Sequence, residues 1–233
     1  RSHASSLESV PPGMKPNVRT AILAGASGLV GGECLECLLA RPEYGEVIVL
    51  ARRELGEVAR HPKVRQIVAD FSDLDSVGPA LAGEHVFCAL GTTIRKAGSQ
   101  QRFREVDYEY PRRLAELARQ RGALHFSIVS ALGASPGSPF FYSRVKGELE
   151  QGLRLMDWPS LGIFRPSLIA GERAEWRPLE KLGGRLLRFA PAGWSPVEAR
   201  EIARAMVALA LKEPRGVTVV ESREIARRAK SLG

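Results

Sequence analysis

The sequence predicts an α/β fold, a parallel sheet wound on both faces by helices, and three observations carry that expectation. Short apolar, β-branched runs alternate with helical patterns along most of the chain. The first strand-to-helix junction carries a glycine trio, Gly25, Gly28 and Gly31. At 233 residues the chain suits one domain, or one domain with a small appendage, and can bury a full core.

The elements follow in order. An apolar run from Val18 to Ala24 is the first strand, and the pattern from Gly28 to Ala40 the first helix. Val47 to Leu50 and Val64 to Ala69 are the second and third strands. Asp73 to Leu81 reads as a short helix or turn before the fourth strand, Val86 to Leu90. Leu114, Leu117 and Ala118 give helical spacing to a long amphipathic segment, Gln101 to Arg121. His125 to Val129 is the fifth strand. Ser138 and Pro139 supply an N-cap and a first-turn proline for a helix reaching Met156. Leu161 to Phe164 is the sixth strand. Beyond Gly171 the pattern loosens into Pro-, Gly- and Trp-containing stretches. A helix from Pro196 to Lys212, a short strand at Val217 to Val220 and a basic terminal helix follow, with no internal repeat.

Composition narrows the function classes. The formal net charge is +8, but Lys and Arg are dispersed among acids with few aromatics between them, which argues against nucleic acid as a partner. No apolar run approaches the ~20 residues of a membrane span. Residues 1–13 are Ser/Pro-rich and aperiodic, and are expected to be a leader outside the fold. They lack the basic-then-apolar pattern of a secretory signal. Three cysteines, an odd number, suggest reduced thiols and hence a cytoplasmic protein. Cys34 and Cys37 form a C-x-x-C inside the first helix, where packing is the expected role. The four histidines are scattered, and no metal site is expected.

The glycine turn is the first feature with chemistry in it. Gly25 permits a tight turn, Gly28 lets a phosphate approach the main chain, and Gly31 lets helix and strand pack closely. Ser27, Leu29 and Val30 belong to the same turn, and the free N–H groups of the helix start attract an anion. Arg52 and Arg53 end the second strand, where a carboxylate would select NAD and a guanidinium accommodates the 2′-phosphate of NADP. NADP is therefore the expected cofactor. Asp70 and Phe71, ending the third strand, are expected beside the adenine, with a strand-terminating turn acid as the alternative role for Asp70. Leu90, Gly91, Thr92 and Thr93 follow the fourth strand at the same edge.

Tyr142 and Lys146 stand at i and i+4 on one helix, one turn apart, with Ser130 at the end of the fifth strand. A phenol with pKa ~10 is a poor proton shuttle at neutral pH. A nearby ammonium stabilises the phenolate, and a drop of about three units represents roughly 4 kcal/mol. Ser130 is expected to hydrogen-bond a substrate oxygen, with Tyr142 giving the proton and Lys146 also holding the nicotinamide ribose.

These residues make the chain resemble the short-chain dehydrogenase/reductase superfamily, and more narrowly its atypical branch of Tat-interacting oxidoreductase-like proteins. The narrower match rests on Cys88 to Thr93, Lys96-Ala97-Gly98, Phe103 to Tyr108, Tyr142 to Glu148 and Phe164-Arg165-Pro166-Ser167. The resemblance covers about Val18 to Gly171, implies a Rossmann-type fold with residues 14–171 as the dinucleotide-binding core, and places Ser130, Tyr142 and Lys146 in the family's catalytic positions. It sets Pro166, Leu168 and Ile169 beside the nicotinamide carboxamide. One departure stands out: Asp107 occupies the place of an asparagine that many of these enzymes use in a proton relay. Residues 172–233 would form a small substrate-side region of the same domain, with Trp176 and Trp194 near the pocket.

The leading expectation is an NADP-dependent oxidoreductase acting on a small carbonyl or alcohol substrate, monomeric or homodimeric. Two alternatives stay open. One is an NADPH-binding regulator with a protein partner and little turnover. The other is an epimerase-like enzyme with tightly held NAD, which the arginine pair and the short C-terminal region disfavour.

Overall fold

The structure, a computed structural model, describes residues 18–170 and 196–232. The leader expected over residues 1–13, and Trp176 and Trp194, lie outside the described residues.

Seven parallel strands form one sheet in the order β3-β2-β1-β4-β5-β6-β9. They are β1 (Arg19–Ala24), β2 (Tyr44–Ala51), β3 (Val64–Val68), β4 (His85–Cys88), β5 (His125–Val129), β6 (Ser160–Arg165) and β9 (Gly216–Glu221). The order reverses between β1 and β4, which opens a crevice beyond their carboxyl ends. Between β6 and β9 a two-residue ladder joins β7 (Ile169–Ala170) to β8 (Val197–Glu198). This is a Rossmann-type doubly wound fold.

Alternation along the strands decides which helix covers which face. Ala21, Leu23, Val47 and Val49 point toward α1 (Leu29–Leu39) and the later helix α6 (Ala199–Lys212). Ile22, Ala24, Ile48 and Leu50 point toward α4 (Tyr110–Gln120) and α5 (Phe141–Arg154). Each fully buried Leu or Ile in these layers contributes about 2 kcal/mol of apolar transfer. The terminal helix α7 (Ser222–Lys230) packs on α6.

Several expected elements differ in detail. The segment after β3 is a 3-10 helix, Leu74–Ala80. The long helix expected from Gln101 is three pieces: α3 (Gln100–Arg104), a π-turn (Glu105–Glu109) and α4. A short helix, α2 (Ile94–Ala97), precedes them, capped by the Thr93 side chain. Ser138 does not cap α5; its hydroxyl accepts the Phe140 N–H at 3.2 Å, so the turn closes before the helix begins.

A polar layer lies at the amino end of the sheet, opposite the crevice. Tyr44 Oη meets His85 Nδ1 at 2.7 Å, and His85 Nε2 meets Glu213 Oε1 at 2.9 Å. His125 is satisfied by two hydroxyls, Ser160 and Ser127, each at 2.7 Å. Burial, with His85 beside it, pushes His125 down to about 3. It is therefore a neutral core histidine, far from any chemistry at the other edge.

Candidate functional site

The glycine turn is closed by direct collisions at two positions and is less crowded at the third. Gly25 has φ +96°, and a Cβ there would stand 2.6 Å from the Ala89 carbonyl. A Cβ on Gly31 would collide with the Gly25 carbonyl oxygen. Both are glycine because β1, β4 and α1 meet there. Gly28 is exposed, and a Cβ on it would come only within 3.3 Å of the Gly25 oxygen. The α1 start has no side-chain cap and no acid in its first turn, leaving its N–H groups and positive dipole end available. Ser27 and Leu29 are exposed beside it, while Val30 turns into the core. Cys34 and Cys37 lie within α1, and burial pushes both thiols up, consistent with packing.

A cleft of about 320 Å³ adjoins this turn, lined by Ser27, Ala51, Arg52, Arg53 and Leu55. Both guanidiniums are on the exposed side of the loop after β2. Gln66 of β3 braces that loop from both ends. Its Nε2 donates to the Arg53 carbonyl at 3.0 Å, and its Oε1 accepts the Leu55 N–H at 3.2 Å. Sequence reasoning missed Leu55 and Gln66, although a glutamine amid an apolar strand was a readable signal. Asp70 accepts the Ser72 N–H at 2.9 Å, and these hydrogen bonds hold its carboxyl below the usual range. Its carboxylate thus also serves the turn that ends β3. The Phe71 ring lies in the core, 5.8 Å from Tyr110, so only its main chain faces the edge.

Tyr142 and Lys146 project from successive turns of α5, and one opposing strip of chain meets both. Phe103 of α3 packs under the Tyr142 ring at 5.5 Å. Asp107 lies 2.7 Å from Lys146 Nζ, and both are buried. Asp107 lies on the π-helical turn Glu105–Glu109 and is its buried residue. The other Asp107 oxygen accepts the Thr92 N–H at 2.8 Å, which ties in the loop Leu90-Gly91-Thr92. Burial alone would drive the Lys146 ammonium down, but Asp107 and the nearby Tyr142 reverse this and its pKa rises.

Ser130 is engaged elsewhere. Its hydroxyl donates to Glu150 Oε1 at 2.5 Å, and Arg165 holds the same carboxylate through Nε at 2.9 Å and Nη2 at 2.6 Å. Glu150 stands one turn beyond Lys146 and was missed. Its spacing of i+8 from Tyr142 was the available signal. After β6, the Pro166 carbonyl accepts the Leu132 N–H and the Leu168 carbonyl accepts the Val197 N–H. Ile169 lies in the β7–β8 ladder. Ala170 lines a second cleft of about 330 Å³ together with Leu29, Glu33, Glu198 and Arg200.

A family model described as NAD(P)H-binding matches residues 25–155, more than half of the chain. The chain belongs to the NAD(P)H-binding family. It is 37% identical over 194 residues to Protein HTATIP2 of Rattus norvegicus, covering 81% of this chain and 80% of that one. Protein fmp52, mitochondrial, of Emericella nidulans is 32% identical over 209 residues, covering 83% and 88% respectively. Among solved structures, a short-chain type dehydrogenase/reductase from Mycobacterium ulcerans superposes with a TM-score of 0.67 at 16% identity. That match covers 86% of this NAD(P)H-binding chain and 87% of the other. The resemblance drawn from the motifs is thereby borne out.

The fungal relatives correct one expectation. Several are named mitochondrial, which conflicts with a purely cytoplasmic assignment. The physical reason is simple: reduced thiols argue against an oxidising compartment without selecting among the others. Among the described residues, no helix is long and apolar enough to cross a membrane.

Proposed function

We propose that this protein is an NADP-dependent oxidoreductase of the short-chain dehydrogenase/reductase type, with a carbonyl or alcohol substrate. The observation that carries this reading is the Tyr142–Lys146 pair on α5, at the sheet edge that holds the glycine turn and the two-arginine cleft.

The residues present suit a dinucleotide. Gly28, Ser27, Leu29 and the N–H groups of α1 would hold the pyrophosphate. Arg52 and Arg53 would take the 2′-phosphate through their planar donor forks, which supports NADP over NAD. Main chain at Asp70 and Phe71 would border the adenine, and Leu90 to Thr92 the middle of the cofactor. Lys146 would hold the nicotinamide ribose, and Pro166, Leu168 and Ile169 would line the carboxamide. When bound, the cofactor supplies hydride chemistry. In that chemistry the Tyr142 hydroxyl gives or takes the proton at the substrate oxygen. With its hydrogen held by Glu150, Ser130 would support α5 beside the substrate oxygen, and proton donation stays with Tyr142.

The test is Tyr142→Phe assayed with NADPH against a panel of aldehydes and ketones. A loss of at least about 100-fold in turnover, with NADPH affinity kept, is expected of a general acid. An unchanged rate on a confirmed substrate would remove Tyr142 from the role. A second reading, an NADPH-dependent binding protein with little turnover, draws support from the pairing of Lys146 with Asp107. Tight NADPH binding with no carbonyl reduced would decide for it.

A further inference from the structure

Lys146 is the cation one helical turn from Tyr142 on α5, and it has a buried counter-charge. The Asp107 carboxylate sits 2.7 Å from Nζ, and Thr92 fixes the other oxygen at 2.8 Å. Gly91 closes the enclosure: a Cβ there would stand 3.4 Å from Asp107 Oδ1 and 3.9 Å from Nζ. The ammonium is faced by Asp107 from the π-turn, by Tyr142 from the preceding turn of α5, and by Cys88 from the end of β4. Burial pushes the Cys88 thiol up to about 12, so it stays neutral and adds no charge. A paired ammonium and carboxylate present a dipole to the phenol, not a unit charge, and a dipole stabilises a phenolate far less.

From this geometry we propose that Asp107 is a positioning residue that keeps the Tyr142 phenol protonated at neutral pH, setting the site for carbonyl reduction over alcohol oxidation. The proposal rests on the reading of Tyr142 as the acid. In that direction the phenolic O–H bond breaks and its proton passes to the carbonyl oxygen, which keeps the C=O π pair. The hydride from the reduced nicotinamide forms the new C–H bond. The carbonyl is reduced to the alcohol, and NADPH is oxidised to NADP. The sequence expectation of a strongly acidified phenol applies to an unopposed ammonium, and here Asp107 opposes it.

The test is ultraviolet titration of tyrosinate. Subtracting the Tyr142→Phe signal from the wild type isolates Tyr142 from Tyr44, Tyr108 and Tyr110. A wild-type midpoint at or above about 10, the ordinary phenol value, is expected. In an Asp107→Asn background the same difference should shift at least one pH unit lower. A wild-type midpoint near 7, or one unmoved by Asp107→Asn, would overturn the proposal. The wild-type arm needs no core substitution, since Tyr142 is partly exposed and loses only its hydroxyl. NADPH calorimetry on the same samples separates the two claims: a wild type that binds no NADPH defeats the cofactor reading, while the titration still judges Asp107.

Discussion

Glu150 accepts the Ser130 hydroxyl at 2.5 Å and so ties the end of β5 to the middle of α5. Arg165, on the neighbouring strand β6, grips the same carboxylate with two nitrogens. The helix that carries Tyr142 and Lys146 is thus pinned to two strands by one buried acid.

Removing that acid should loosen the pin. Glu150→Ala is expected to cost about 3 kcal/mol, because it leaves the Ser130 hydroxyl without its acceptor and the partly buried Arg165 with only Glu221, 3.8 Å away. Glu150→Gln should cost less, since an amide oxygen still accepts from Ser130. Urea denaturation measures both. A Glu150→Ala protein within 0.5 kcal/mol of wild type, a change on the order of surface substitutions, would show that the tie is not structural.

The three glycines should separate by mechanism. Gly31→Ala places a methyl on the Gly25 carbonyl and should destabilise the fold, by about 2 kcal/mol or more given the backbone shift it forces. Gly28→Ala meets only one atom, at 3.3 Å, and should leave stability within about 1 kcal/mol. Its NADPH affinity should nevertheless fall, because the methyl stands where the pyrophosphate is proposed to rest. Melting curves beside NADPH titrations read both effects. Full NADPH affinity in Gly28→Ala would move the phosphates elsewhere.

The arginine pair should set the nucleotide preference. Arg52→Ala with Arg53→Ala removes charged hydrogen bonds worth about 1.5–3 kcal/mol each. At least a tenfold loss of NADPH affinity is expected, with NADH affinity nearly constant. Equal losses for both nucleotides would place the guanidiniums outside the 2′-phosphate site.

Acid should destabilise the protein through its amino-end polar layer. His125 has a folded pKa of about 3 against about 6.5 unfolded. The unfolded chain therefore binds the proton more readily, and stability is complete above pH 6.5. It is lost as pH falls from there to about 3, at about 1.4 kcal/mol per unit for this one group. Burial lowers His85 as well, partly opposed by Glu213, which adds loss in the same direction. Urea midpoints at pH 7, 6 and 5 check this, and a flat profile would contradict it.

The sheet was legible because parallel strands buried on both faces read as continuous apolar runs, such as Val47 to Leu50. The glycine turn and the Tyr142–Lys146 spacing were legible for the same reason: local geometry follows from residue type and interval. What was not legible depended on one-residue irregularities and long-range partners. The π-turn that carries Asp107 leaves no mark on periodicity. Glu150 looked like another polar helix residue until β5 and β6 brought Ser130 and Arg165 to it. Ser138 and Pro139 satisfied the local rule for a helix start, yet the Ser138 hydroxyl closes a separate turn on the Phe140 N–H first.

Calorimetric titration of the wild-type protein with NADPH and, in parallel, with NADH tests the central claim most directly. Saturable NADPH binding, at least tenfold tighter than NADH, is the expected result. Binding of neither nucleotide, or a preference for NADH, would contradict it.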